Sequence, residues 1–210
     1  MTPEQLAERH PRFYHMAEVE AWPSIRRHGL LSACALAELF ELTGDDLDRA
    51  VRRYRPKCLT LTHPVHGEAI LRDQHPMPPG KIRKVIPATW QPEDWYFHVN
   101  GHAFLWPSED RLGRIRQFYS DRDSIVLVVD ANRLLARHAG AVRLSPINSG
   151  SIPSFVERDD RTYRPLADFP DKNEVAEIVV PVGIPDIADH VLRIDRIRGS
   201  ETLGTMWERA

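Results

Sequence analysis

One short run, "SIVLVVD" (124–130), constrains this chain more than any other stretch. Five apolar residues between polar ends are too few for a helix with a long apolar face, and far below the roughly 20 of a membrane span. The run reads as a buried strand. Two further apolar strands are expected late in the chain, "VAEIVVPVG" (175–183) and "HVLRIDRI" (190–197), with a turn at Pro185 between them.

The first half reads differently. An opening strand is expected over residues 12–16, then a short helix in "EAWPSIRRH" with Pro23 in its first turn and Trp22 and Ile25 on one face. Gly29 can take the left-handed cap position, with Leu30 folding back. Ser32 is placed to cap a second helix, "ACALAELFEL", and the sequence Thr43 to Asp46 resembles a capping box ahead of a third, "DLDRAVRRY", which Pro56 terminates. "KCLTLT" (57–62) alternates as a strand does, whereas "GEAILRDQ" (67–74) reads as a helix and "HPMPPG" as a proline-rich turn.

In the middle, "QPEDWYFHVN" is expected to be a short helix entering a strand, "HAFLWP" (102–107). "SEDRLGRIRQFY" is amphipathic with Leu112, Ile115 and Tyr119 on one side, "ANRLLARHA" is helical, and "AVRLS" returns as a strand. Residues 146–173 form a polar segment with four prolines, a length usually reserved for functional or mobile loops. The tail from Arg198 shows no pattern and is expected to fray. Helices and a strand first, mixed segments next and mostly strands last favour an α+β fold in a single domain, residues 1–210, over a doubly wound sheet.

Composition narrows the function classes. Hydrophobic residues make up 42% and charged residues 28%, ordinary values for a folded soluble domain. The net charge of −2 argues against a binder that relies on a large basic excess. The N-terminus has no basic start followed by an apolar stretch, and Cys34 and Cys58 are isolated thiols, so a cytoplasmic location and no membrane association are expected.

Two polar residues stand out against apolar surroundings. His15 sits in the opening strand, and Glu177 interrupts "EVAEIVV" between Ala176 and Ile178. A histidine there is either structural or paired with a chemical partner. A carboxylate there points outward from an amphipathic strand or faces a cleft. The spaced histidine pairs His63/His66 and His98/His102 contain proline or glycine and lack a third ligand at zinc-like spacing, so no metal site is expected. No glycine-rich phosphate loop is present, which disfavours a Rossmann dehydrogenase or a P-loop kinase.

The segment "YHMAEVEAWPSIRRHGLL" resembles the opening of DarT-type DNA ADP-ribosyltransferases and, more loosely, of RNA 2′-phosphotransferases, which begin with a Tyr/His strand and a helix of the form "SI..HGL". "VAEIVV" is similar to the strand that carries the DarT catalytic glutamate, and "WYFHVNGHAFLWPSEDRL" loosely resembles the central strand around the nicotinamide. The stretch after Tyr96 and Phe97 departs from the DarT pattern, so the nucleobase-recognition elements do not carry over. The chain also resembles an uncharacterised bacterial family through Arg72–Met77, Asn100–Trp106, Ser145–Ser151 and Ile184–Ile187.

The resemblance implies an ADP-ribosyltransferase-like split β-sandwich with helices around it and an NAD cleft between two small sheets. It implies transfer of ADP-ribose from NAD, as substrate, to a macromolecule, DNA or RNA rather than protein, with Glu177 catalytic and His15 on a ribose. The alternatives are an NAD glycohydrolase, and an inert module that binds nucleotide or nucleic acid. An antitoxin partner is not visible in the sequence. In this picture Arg72 grips the pyrophosphate or is merely a solvated helix end, and Asn100 and Trp106 line the nicotinamide pocket or pack the core. Ser149 serves a phosphate or only a turn, and Ser24 faces the cofactor or solvent.

Overall fold

The computed structural model describes residues 1–150 and 156–209. The chain opens with α1 (Pro3–Arg9), whose end is closed by a reciprocal capping box between Thr2 and Gln5. Then come β1 (Arg12–Glu18), α2 (Trp22–His28), β2 (Leu30–Leu31), α3 (Ala33–Leu39) and α4 (Gly44–Val51). A hairpin of β3 (Leu59–His63) and β4 (Gly67–Leu71) precedes α5 (Pro79–Ile82), α6 (Pro92–Asn100), β5 (His102–Leu105) and α7 (Glu109–Arg116). The second half runs β6 (Asp123–Asp130), α8 (Ala131–His138), β7 (Arg143–Ser145), β8 (Arg164–Pro165), β9 (Glu177–Pro181) and β10 (Gly183–Ile184). It ends with α9 (Ile187–His190), β11 (Val191–Arg198) and β12 (Glu201–Glu208). The α+β expectation holds.

Two four-stranded sheets, antiparallel throughout, organise the molecule: β1-β6-β11-β12 and β5-β9-β7-β8. They share one core. Phe13 and Ala17 of β1, Ile125, Leu127 and Val129 of β6, and Ile194 of β11 pack with Leu105, Leu144, Ile178 and Val180 of the second sheet. The other face of β6, Val126 and Val128, packs with Leu112, Ile115 and Tyr119 from α7 and the turn after it. Strand β6 is therefore buried on both faces, which is why its sequence is a continuous apolar run and not an alternation. At about 1.5–3 kcal/mol per fully buried side chain, it is the main anchor of the fold.

Three expectations need correction. "GEAILRDQ" is not a helix: residues 67–71 form β4 and pair with β3 in the register Leu59↔Leu71 and Leu61↔Ala69. Leu61, Ala69 and Leu71 pack against Ala37, Phe40, Ala50 and Val51 from α3 and α4, so the period of two is set by the cross-strand partner. The tail does not fray, because residues 201–208 pair with β11; every residue of β12 is exposed, so a backbone ladder without apolar burial left no pattern to read. Thr43 makes no side-chain cap at α4, whereas Ser32 does accept from the Ala35 amide at α3. The described part of the polar segment 146–173 carries β8 and two 3-10 turns, and Ser151 of the "SPINSGS" motif lies outside the described residues.

Gly29 closes α2 through its amide to the Ile25 carbonyl, at φ +92 and ψ 173, a glycine conformation other than the left-handed cap expected, and it also sits against the β10–α9 turn: a Cβ there would stand 2.4 Å from Pro185 Cα. Gly44 also has positive φ (+55) but open space around it. Gly29→Ala should therefore destabilise the protein by at least about 3 kcal/mol and Gly44→Ala by only about 1 kcal/mol. Thermal melting of the two variants checks this, and equal losses would contradict the packing account.

Candidate functional site

Strand alternation decides where the polar residues go. On β1, His15 shares a face with Phe13 and Ala17, the face turned toward the second sheet. There its Nδ1 donates to the Phe104 carbonyl at 2.8 Å. One residue away, Tyr14 and Trp106 exchange backbone hydrogen bonds of 2.8 and 2.9 Å. The first strand of one sheet is thus stitched to the end of β5 in the other. A carbonyl only accepts, so the proton is on Nδ1 and Nε2 keeps its lone pair. Burial pushes the imidazole down to about 4, against a smaller opposing effect of the Phe104 bond, so His15 is neutral at pH 7.

Glu177 opens β9, opposite Ser145 of β7, in the interior of the second sheet. It is 2% exposed, which excludes the outward-facing reading. The Ser149 amide donates to its Oε2 at 3.0 Å, and the Tyr163 hydroxyl donates to Ser149 Oγ at 2.9 Å. Burial raises the carboxyl from 4.5 to about 7, although hydrogen bonds from the Ser149 hydroxyl and from the Ser149 and Gly150 amides, and the charge of Arg158, all favour the ionised form. Tyr163 is held behind it by a parallel stack on His98, with ring centroids 5.1 Å apart.

His15, Ser24, Arg72, Asn100, Trp106, Ser149 and Glu177 all border one cavity of about 250 Å³. Seven residues from scattered segments therefore converge, but they do not all offer free polar groups. Asn100 is committed: its Oδ1 accepts from Arg55 and Gln74, and its Nδ2 donates to the Val51 carbonyl. Arg72 follows a strand and not a helix, and all three of its guanidinium nitrogens are engaged, with Glu18 at 3.0 Å, the Met16 carbonyl at 3.1 Å and Ser124 Oγ at 2.8 Å. It clamps β4 to β1 and β6. Trp106 packs in the core beside α7, yet its Nε1 is buried with no hydrogen-bond partner among the described residues. Ser24 is buried on α2 at the cavity wall.

Several groups at the site carry no local signature. Asp73 accepts from Arg122 at 2.6 Å and from the Tyr119 hydroxyl at 3.1 Å, and Arg72 lies over the Tyr119 ring at 4.3 Å. Burial alone would raise Asp73, but the bonds from His75 and Arg122 outweigh it and hold the carboxyl low. Glu18 joins the same network through Arg72. The only sequence hint was the adjacency of Asp73 and Gln74 to Arg72; Tyr163 was one of three aromatics in the polar segment.

Two buried carboxylates thus behave oppositely, and only Glu177 titrates near neutrality. Its folded value of about 7 exceeds the 4.5 of an exposed chain, so between those values the folded state keeps a proton that the unfolded chain has lost. Stability from this group is full at low pH and is lost as pH rises through that window. Glu177→Gln lacks the effect. Its stability relative to wild type should rise from about pH 4.5 to about pH 8, by on the order of 3 kcal/mol, and then level off. Calorimetric melting at both ends of the range reads this; a flat difference would mean an ordinary carboxyl.

No helix among the described residues is long and apolar enough to cross a membrane. No curated protein matches the chain. Residues 11–191 match the model of DUF7002, a family of unknown function, so the chain belongs to that family.

Proposed function

We propose that this protein transfers ADP-ribose from NAD to a macromolecular acceptor, nucleic acid rather than protein, on an ADP-ribosyltransferase-like split β-sandwich. One observation carries the reading: a buried carboxylate titrating near 7 and a neutral imidazole border the same cavity, although they lie at opposite ends of the chain. Two antiparallel sheets joined at a seam beside that cavity accord with the fold. The resemblance of "YHMAEVEAWPSIRRHGLL" and "VAEIVV" supplies the reaction class.

The cavity is smaller than the roughly 300–1,000 Å³ of pockets that enclose a whole ligand. It suits the nicotinamide–ribose end, with the adenosine end lying across the mouth. Cleavage breaks the bond between the ribose C1′ and the nicotinamide nitrogen, and the electron pair leaves with nicotinamide. Positive charge develops on the ribose, as in glycoside cleavage. Ionised Glu177 accepts a hydrogen bond from a ribose hydroxyl, stabilises that charge, and takes the proton of the acceptor nucleophile as it bonds to C1′. His15 Nε2 accepts from a ribose hydroxyl, and Trp106 Nε1 donates to the nicotinamide carboxamide. Arg72 and Asn100 act as walls held by their own partners. The pyrophosphate role for Arg72 would require it to leave Glu18.

Activity should rise with pH through about 7, because Glu177 works as the carboxylate while His15, at about 4, stays neutral throughout. Glu177→Gln should lower nicotinamide release by on the order of 10² or more with a much smaller loss of NAD affinity, since the lost interaction is strongest in the transition state. The assay incubates adenylate-labelled NAD with separate pools of DNA, RNA and protein. Label on nucleic acid supports the reading, free ADP-ribose indicates a glycohydrolase, and NAD binding without release indicates an inert module. Unchanged turnover in Glu177→Gln would remove the carboxylate from the mechanism.

A further inference from the structure

A second cluster of chemistry-bearing side chains lies away from the cavity, and none of its members borders it. His138 ends α8, Asp186 immediately precedes α9, and His190 ends α9. Asp186 and His190 are four residues apart at the two ends of one helical turn, and α8 brings His138 to them. His138 Nε2 lies 2.6 Å from Asp186 Oδ1, and His190 Nε2 lies 3.2 Å from Asp186 Oδ2. One ligand atom from each residue lies within 4.8 Å of the other two.

Hydrogen bonding accounts for His138, whose Nε2 is bonded to Asp186 Oδ1, but not for His190. His190 is 2% exposed, yet neither of its ring nitrogens makes an aligned hydrogen bond among the described residues. A buried imidazole left in that state loses the hydrogen bonds that water would have supplied. Asp186 occupies the cap position of α9, yet its carboxylate makes no capping bond and turns to the two histidines instead.

We propose that His138, Asp186 and His190 form a binding site for a divalent transition-metal ion of the zinc class. Two imidazole nitrogens and one carboxylate oxygen are the donors that zinc and its neighbours prefer, whereas magnesium and calcium take oxygen ligands. Donors on a tetrahedral ion with bonds of about 2.0–2.1 Å lie roughly 3.3 Å apart, so the 3.2 Å pair already fits and the 2.6 Å pair must open slightly. The cluster is open on one side, with the Asp186 and His138 side chains 27% and 18% exposed, so water can complete a tetrahedral set.

Arg137 is the local competitor, 2.9 Å from Asp186 Oδ2 and 3.3 Å from Asp189 Oδ2. Its side chain is 60% exposed, so it can retain Asp189 while Asp186 turns to an ion. Bound metal would fasten the end of α8 to the turn in which Pro185 lies against Gly29. The ligands span residues 138 to 190, so no short spacing motif announces them, unlike the His63/His66 and His98/His102 pairs.

The test uses the full chain stripped with a chelator, then titrated calorimetrically with zinc and separately with cobalt as a spectroscopic probe. The expected result is one equivalent of zinc per chain, a raised melting temperature, and visible cobalt bands of nitrogen and oxygen ligation. His138→Ala and Asp186→Asn, both at partly exposed positions, should weaken zinc binding by at least about 100-fold, the loss that even supporting groups around a metal can produce. His63→Ala should leave it unchanged. Absence of stoichiometric binding by the stripped wild type would overturn the proposal. So would wild-type affinity in folded Asp186→Asn or His138→Ala, or a loss that follows His63→Ala instead. If a variant fails to fold, the cobalt spectrum of the wild type still decides, since thiolate ligation or no spectrum would contradict this donor set.

Discussion

The seam between the two sheets is the constraint on which the rest depends. Tyr14 and Trp106 join β1 to the end of β5 through a pair of backbone hydrogen bonds, and His15 reinforces the join through the Phe104 carbonyl. Because β1 also pairs along its whole length with β6, the most deeply buried strand, the seam ties the site to the core. The same imidazole that borders the cavity therefore helps to hold the sheets together. Replacing His15 with alanine removes a structural hydrogen bond along with any ligand contact, so loss of function in that variant would not isolate a binding role.

Around this seam the protein treats its charged groups in two ways. Asp73, Glu18, Arg72 and Arg122 are matched with one another, and the guanidinium of Arg72 also satisfies a carbonyl and a hydroxyl. A network so fully paired is rigid, and breaking one member would strand a buried charge. Among the described residues no cation is hydrogen-bonded to Glu177; it has amide and hydroxyl donors and the charge of Arg158 nearby. The result is a carboxylate whose ionisation is finely balanced in a site that is otherwise electrostatically settled. Perturbed groups of this kind concentrate at functional sites.

The sequence carried the apolar part of this design well. Strands β6, β9 and β11 were legible because burial dictates their residues directly, and the interruption of β9 by Glu177 was visible for the same reason. The hairpin strand β4 was misread as a helix because its alternation makes sense only opposite Leu59 and Leu61. Strand β12 was invisible because both its faces are exposed. Helix α1 was not anticipated, although its capping box, Thr2 with Gln5, lies within one short stretch of sequence. Arg72 and Asn100 were picked out as residues near the cavity, but whether an amide or guanidinium is free or already satisfied depends on partners tens of residues away. Tyr163 and Asp73 were missed for that reason: their roles come from contacts, not from local pattern.

The proposed function requires Glu177 to titrate near neutrality and its ionised form to engage NAD. The most direct test is the carbon-13 signal of the Glu177 side-chain carboxyl, assigned by its absence in Glu177→Gln and followed against pH with and without NAD. A midpoint at about 7 is expected in the free protein, moving down when NAD binds, because a ligand that prefers the carboxylate must stabilise it. A midpoint at an ordinary carboxylate value, or one that NAD leaves in place, would contradict the proposed function.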